Sequence, residues 1–165
     1  MKRKTIIFFL AAILLSCRKD PAVVLDTTLT SCPANHTCDY NYFDGADFNG
    51  SQVIHGGSRV FKYTSAGSLL CDATAQFNVK ISLNSTSFDI TSAQIAAGQV
   101  VSASDFICPC CDYDILTKPI GGEIKGKRVS STSWLLNARI IFGTSASYPA
   151  DTITVNQYFT LAKLP

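Results

Sequence analysis

The chain has few groups suited to acid–base chemistry. It carries only two His, His36 and His55, with one Trp and one Met in 165 residues, and charged residues make up 16% of it. No Gly-x-Ser-x-Gly nucleophile elbow occurs, so the common esterase arrangement is missing. No paired Cys-x-x-Cys and His-x-x-x-His spacing occurs either, which argues against a zinc module. Basic runs are absent after residue 4, so nucleic acid is not an expected partner. The longest apolar run covers only residues 6–15. A membrane-spanning helix needs about 20. Internal repeats and low-complexity tracts are also missing.

That short apolar run is nevertheless informative. Lys2, Arg3 and Lys4 precede it, and Leu14, Leu15, Ser16 and Cys17 end it. A positive start and a short apolar core are the physical pattern of a secretory signal. A conventional cleavage site favours small residues, and Leu14 is bulky. The stretch resembles the signal peptide and lipobox of bacterial lipoproteins. That resemblance implies cleavage before Cys17, lipid on Cys17, and anchorage to the outer membrane on its periplasmic or surface face. Arg18-Lys19-Asp20 is partly similar to surface-export signals of Bacteroidetes lipoproteins. Asp26-Thr27-Thr28 and Asp151-Thr152-Ile153 resemble O-glycosylation acceptors of the same group. The implied division is a signal peptide at 1–16, a lipidated Cys and tether at 17–31, and one domain at 32–165.

Removing 16 residues from 165 leaves 149, a length suited to one domain. Three basic residues leave with the signal, so 11 of 14 remain against 12 acidic ones. Six Cys remain besides Cys17: Cys32, Cys38, Cys71, Cys108, Cys110 and Cys111. An even set in an exported chain reads as disulfides. Neighbouring Cys110 and Cys111 would close a strained ring, so they should bond elsewhere. The simplest pattern ties Cys32, Cys38 and Cys71 to the 108–111 cluster. The Cys-x-x-Cys spacing within Cys108-Pro109-Cys110-Cys111 is read as structural, because no helix follows it to lower a thiol pKa.

The rest of the pattern is β. Phe77, Val79, Ile81 and Leu83 alternate with Asn78, Lys80 and Ser82, the period of a half-buried strand. Residues 134–142 and 151–161 read as two further strands. Gly56-Gly57 and Gly121-Gly122 read as tight turns, and Ser65–Ser68 as another. Only residues 93–97 suit a helix, ended by Gly98. The expected fold is an all-β antiparallel sandwich, or barrel-like sandwich, of about eight to ten short strands, braced by disulfides.

The most unusual stretch is 32–50, where aromatics and Asp or Asn interleave. Asp39, Tyr40, Asn41, Tyr42, Asp44 and Asp47 are candidate ligand-binding residues, since flat rings and carboxamides suit a glycan. Asp39, Asp44, Asp47 and Asn49 form a weak calcium candidate that departs from the EF-hand spacing. No resident metal or cofactor is expected. The lone Trp134 lies in the greasiest run and is expected in the core. Asp105, Asp112, Asp114 and Glu123 are the carboxylates that a glycosidase reading would need to converge. The expected function is a lipid-anchored, non-enzymatic envelope protein that binds a glycan or protein partner or serves a structural role. The alternatives are a small extracytoplasmic hydrolase and a disulfide-braced inhibitor or adhesin.

Overall fold

Alternating apolar and polar residues with few helix formers produce strands along most of the chain. The computed structural model describes residues 22–67, 74–106, 115–116, 118–144 and 150–164. Its elements are β1 (His36–Asn49), β2 (Gln52–Gly67), β3 (Thr74–Ser82), β4 (Ser87–Ile90), α1 (Ser92–Ala97), β5 (Val101–Phe106), β6 (Ile115–Leu116), β7 (Pro119–Arg128), β8 (Ser133–Phe142) and β9 (Asp151–Leu161). They form one nine-stranded sheet in the order β4-β7-β8-β9-β1-β2-β3-β5-β6. All pairings are antiparallel except β1 with β9, which is parallel and joins only Asn41 to Thr160 and Tyr42 to Leu161.

That narrow junction lets the sheet double over on itself. The ring of Phe61 on β2 lies 5.4 Å from Phe88 on β4, 5.2 Å from Trp134 on β8 and 6.0 Å from Phe159 on β9. One half-sheet therefore faces the other, as in a sandwich. The core between them includes Tyr42, Phe61, Phe77, Trp134, Ile140 and Phe159, all buried. Each large apolar side chain buried there contributes about 1.5–3 kcal/mol. Trp134 sits in this core as its setting in the sequence suggests. A smaller cluster of Phe43, Ala46 and Val60 lies apart from it and is covered by Ala162 and Leu164 of the C-terminal segment.

The short helix matches its sequence signals. Gln94 Oε1 accepts from the Thr91 amide at 2.9 Å, and Gly98 ends the helix in the left-handed region at φ 70°. Ile95 is its buried anchor, and the helix packs on β7.

Three expectations about turns need correction. Gly56-Gly57 is not a hairpin turn. The β1–β2 turn is at Gly50-Ser51, between paired Asn49 and Gln52. The two glycines instead form a bulge inside β2, where Ala46 faces both His55 and Ser58. A Cβ on Gly56 would stand 2.6 Å from Asp47 Cβ, so the backbones approach too closely for a side chain. Gly121-Gly122 likewise lies within β7, beside a register shift. There Gly122 has φ 127°, and a Cβ would collide with the Arg139 carbonyl. The stretch expected to turn after Ser65 continues as β2 to Gly67.

The disulfide pattern is also corrected. Cys32 bonds Cys38, with their Cα atoms 5.8 Å apart. The intervening turn, where the His36 amide donates to the Pro33 carbonyl at 3.1 Å and Asn35 has φ 62°, brings the two together. A pairing of Cys32 and Cys38 with the 108–111 cluster is therefore overturned. Cys17, Cys71, Cys108, Cys110 and Cys111 lie outside the described residues.

Part of the stretch read as a tether is held to the sheet. The Thr30 amide donates to the Asn156 carbonyl at 2.9 Å. Asn156 Nδ2 also donates to the Asp26 carbonyl at 3.1 Å, and Gln157 Nε2 to the Thr30 carbonyl at 3.0 Å. Residues 26–30 thus form a strap over the outer face of β8 and β9. Among the described residues no helix is long and apolar enough to cross a membrane.

Candidate functional site

The candidate residues between Asp39 and Asn49 lie on β1 rather than on a loop, so alternation splits them between two faces. Tyr40 and Tyr42 point into the core. Tyr42 is only 1% exposed. Tyr40 is half-buried, stacked 5.5 Å from Tyr63 and edge-on at 5.7 Å to Phe159. Burial raises the pKa of both phenols. An exposed aromatic platform at these rings is therefore ruled out, and they serve as core.

The carboxylates are occupied by cations. Asp44 takes a bidentate pair from Arg59, with Nε–Oδ1 2.5 Å and Nη2–Oδ2 3.0 Å. The Arg59 guanidinium is buried, 5.0 Å from the Trp134 ring centre and 5.4 Å from Tyr42. Asp47 accepts from Lys80 Nζ at 2.9 Å and from the Phe48 amide at 2.7 Å. Those bonds, the Lys80 one foremost, hold its carboxyl below the usual aspartate pKa. Asp39 and Asn49 are exposed. Asp39, Asp44, Asp47 and Asn49 therefore do not converge as a calcium cage. Among the described residues no three His, Cys, Asp or Glu groups converge on a metal position. His36 and His55 sit near opposite ends of the β1–β2 hairpin, facing Gly67 and Ala46.

The bulge at Gly56-Gly57 has another effect. It bends the far end of the hairpin over the outer face of β3 and β5. A cleft of about 450 Å³ lies beneath the tip, lined by Gly50, Ser51, Gln76, Asn78, Ser102 and Ser104. Strand pairing sets Asn78 beside Ser102 and Gln76 beside Ser104. Gln76 Nε2 donates to Ser104 Oγ at 2.9 Å, and Asn78 Nδ2 donates to the Gly50 carbonyl at 3.0 Å. Asn78 is 2% exposed, and its Oδ1 has no partner. The charged neighbours Lys80 and Asp47 neutralise one another at the edge of the hairpin. No family, curated protein or solved structure matches this chain. The site must therefore be read from its own geometry.

A second cavity, of about 360 Å³, opens at the end of the sandwich near the disulfide. His36 Nδ1 and Ser65 Oγ lie 2.8 Å apart there, with Tyr63, Asp105 and Asp151 also in the lining. Burial pushes the Tyr63 phenol pKa up; a hydrogen bond with Ser65 opposes this, and the Asp105 charge adds to it. Ser65 is 1% exposed, so its hydroxyl is shielded. Glu123 does not line this cavity; it pairs with Lys125 at 2.7 Å on β7. Asp112 and Asp114 lie outside the described residues.

The residues around Asn78 were legible only as the polar face of alternating strands. A hairpin folding over that face leaves no local mark in Gln76, Asn78, Ser102 or Ser104. The His36–Ser65 pair joins residues 29 apart in sequence, and nothing near either one announces it.

Proposed function

We propose that this protein is a lipid-anchored, non-enzymatic domain of the bacterial cell envelope that binds an extracytoplasmic glycan or protein partner. The cleft under the β1–β2 hairpin tip carries the reading. It is recessed, lies within the roughly 300–1,000 Å³ range of small-ligand sites, and holds a buried amide oxygen without a partner. An unsatisfied buried acceptor is unfavourable by about 1–3 kcal/mol, and a ligand hydroxyl would relieve it. The basic, apolar and Leu-x-Ser-Cys order at residues 2–17 supports the anchor. Several acyl chains on Cys17 would give stable attachment, whereas one alone is marginal.

Two measurements test this. The full chain, purified in detergent, should bind envelope polysaccharide or protein in a pull-down and retain it after washing. Cys17→Ala should move the protein from the detergent phase to the aqueous phase; a mutant still in the detergent phase rules out lipid on Cys17.

One observation favours a hydrolase as a second reading: the His36–Ser65 pair at 2.8 Å in a cavity that also contains two carboxylates. In that reading, once the shielded Ser65 hydroxyl is uncovered, His36 takes its proton as Oγ adds to an ester carbonyl carbon, the alcohol leaves with that proton, and water then releases the acid from Ser65. Turnover of a p-nitrophenyl ester that disappears in Ser65→Ala would establish it; equal background rates in both proteins would dismiss it.

A further inference from the structure

We infer that the cleft beneath the hairpin tip is a subsite for one neutral sugar ring, held by Gln76, Asn78, Ser102 and Ser104. The inference rests on the binding function proposed above and names its ligand class. The four side chains are two carboxamides and two hydroxyls, so the wall offers both donors and acceptors without net charge. Sugar hydroxyls need that combination, because each donates and accepts. A phosphate or uronate would instead call for a cation in the wall; Lys80 is already paired with Asp47 at 2.9 Å, and Lys62, opposite Asn78 in the β2–β3 register, is not among the lining residues. Among the described residues no aromatic ring lines the cleft, so recognition would come from hydrogen bonds rather than stacking.

The hairpin tip forms a roof over the cleft. Asn78 Nδ2 holds the Gly50 carbonyl at 3.0 Å, and this bond staples the hairpin tip down over the cleft. The same carboxamide leaves Oδ1 buried and without a partner. Exchanging the two ends of the amide would not help, since Oδ1 would then oppose the Gly50 carbonyl. Oδ1 is closed to water in this conformation, so a ligand hydroxyl donates to it only once the tip has lifted. If the tip lifts, a second hydroxyl can accept from Nδ2 in place of Gly50. Gly50 and Ser51 thus form a small movable roof, and Asn78 reads whether the ring beneath it is present. Hydrogen bonds without stacking predict weak binding to a single ring, near a Kd of about 1 mM, strengthened when several rings of a polymer engage.

The test uses the full chain in detergent micelles. Neutral monosaccharides and disaccharides (hexoses and N-acetylhexosamines) are titrated while the side-chain amide signals of Gln76 and Asn78 are followed by NMR. The expected result is saturable shifts of both signals, with affinity at least tenfold weaker in Gln76→Ala and in Ser102→Phe, which fills the cleft. Ser87→Ala, exposed on β4 of the other half-sheet, should bind as the unaltered chain does. Absence of shifts with every neutral sugar, or unchanged affinity in both cleft variants, overturns the assignment. Retention of envelope material by Ser102→Phe in the pull-down overturns the cleft but leaves the wider binding function standing. Failure of the unaltered chain to retain any envelope material overturns both.

Discussion

Arg59 is the residue on which the middle of the sandwich depends. Arg59 is 4% exposed, and its guanidinium stands between the rings of Tyr42 and Trp134 while gripping Asp44. A buried cation left without its partner is strongly unfavourable, whereas removing both charges together can be nearly neutral. Asp44→Ala should therefore destabilise the fold by about 2–3 kcal/mol. Asp44→Ala combined with Arg59→Met should be less damaging than Asp44→Ala alone. Urea unfolding of the unaltered chain, Asp44→Ala, Arg59→Met and the double variant checks this; additive effects would show that the pair is not coupled. The sequence revealed this residue poorly. Arg59 follows Ser58 in a stretch that reads as an ordinary strand, and its partner Asp44 looked like a possible ligand-binding carboxylate. Only the register of β1 on β2, which sets Asp44 opposite Arg59, makes them a pair.

At the level of single elements, the long hairpin β1–β2 is shaped by glycines placed where a side chain cannot fit. Gly56→Ala should destabilise by roughly 2–3 kcal/mol, because a Cβ would be driven into Asp47 and Ala46. Gly57→Ala should change stability by less than about 1 kcal/mol, since nothing lies within 4 Å of its Cβ position. Thermal unfolding of the two variants separates a bulge from a simple two-residue turn, in which both positions would need positive φ. Strands with strict alternation, such as β3 and β9, were legible because period two reports a buried face directly. The helix at Ser92–Ala97 was legible because Thr91, Gln94 and Gly98 are local signals. The double glycines were misread because a bulge and a turn share the same residue preference. Which one forms depends on the partner strand, here Ala46 opposite His55 and Ser58. The Cys32–Cys38 bond shows the same limitation: Cys counting leaves the pairing open, and the turn at 33–36 decides it.

On the scale of the molecule, each half-sheet carries a segment fastened to its outer face by side chains. Lys80–Asp47 fastens the bent hairpin to β3. The Asp47 carboxyl has a lowered pKa, so its contribution is complete above an ordinary aspartate value of about 3.9 and is lost as pH falls through the folded value. Protection of the amides near Gly50, relative to their intrinsic exchange rates, should fall on acidification below about pH 4, and Asp47→Asn should remove that pH dependence. On the opposite side, Asn156 clamps residues 26–30. Asn156→Ala removes the side-chain bonds to the Asp26 and Thr28 carbonyls and keeps the main-chain carbonyl that accepts from Thr30, so it should speed amide exchange at 26–28 while lowering stability by about 1–2 kcal/mol; unchanged protection at 26–28 in that variant would show that the strap is held elsewhere. The sandwich class was readable from strand count and composition. The positions of its cleft and strap were not, because each joins segments far apart in sequence.

The strap also sets a heading. Asp26 lies nine positions after Cys17, a span that at full extension reaches about 30 Å. With lipid on Cys17, the mooring line would be that short, and it would leave from the outer face of β8 and β9. The opposite outer face, formed by β3 and β5 with the hairpin tip above them, would then look away from the bilayer. Clamped in this way, the domain would ride with one side berthed against the lipid and its cleft turned outward.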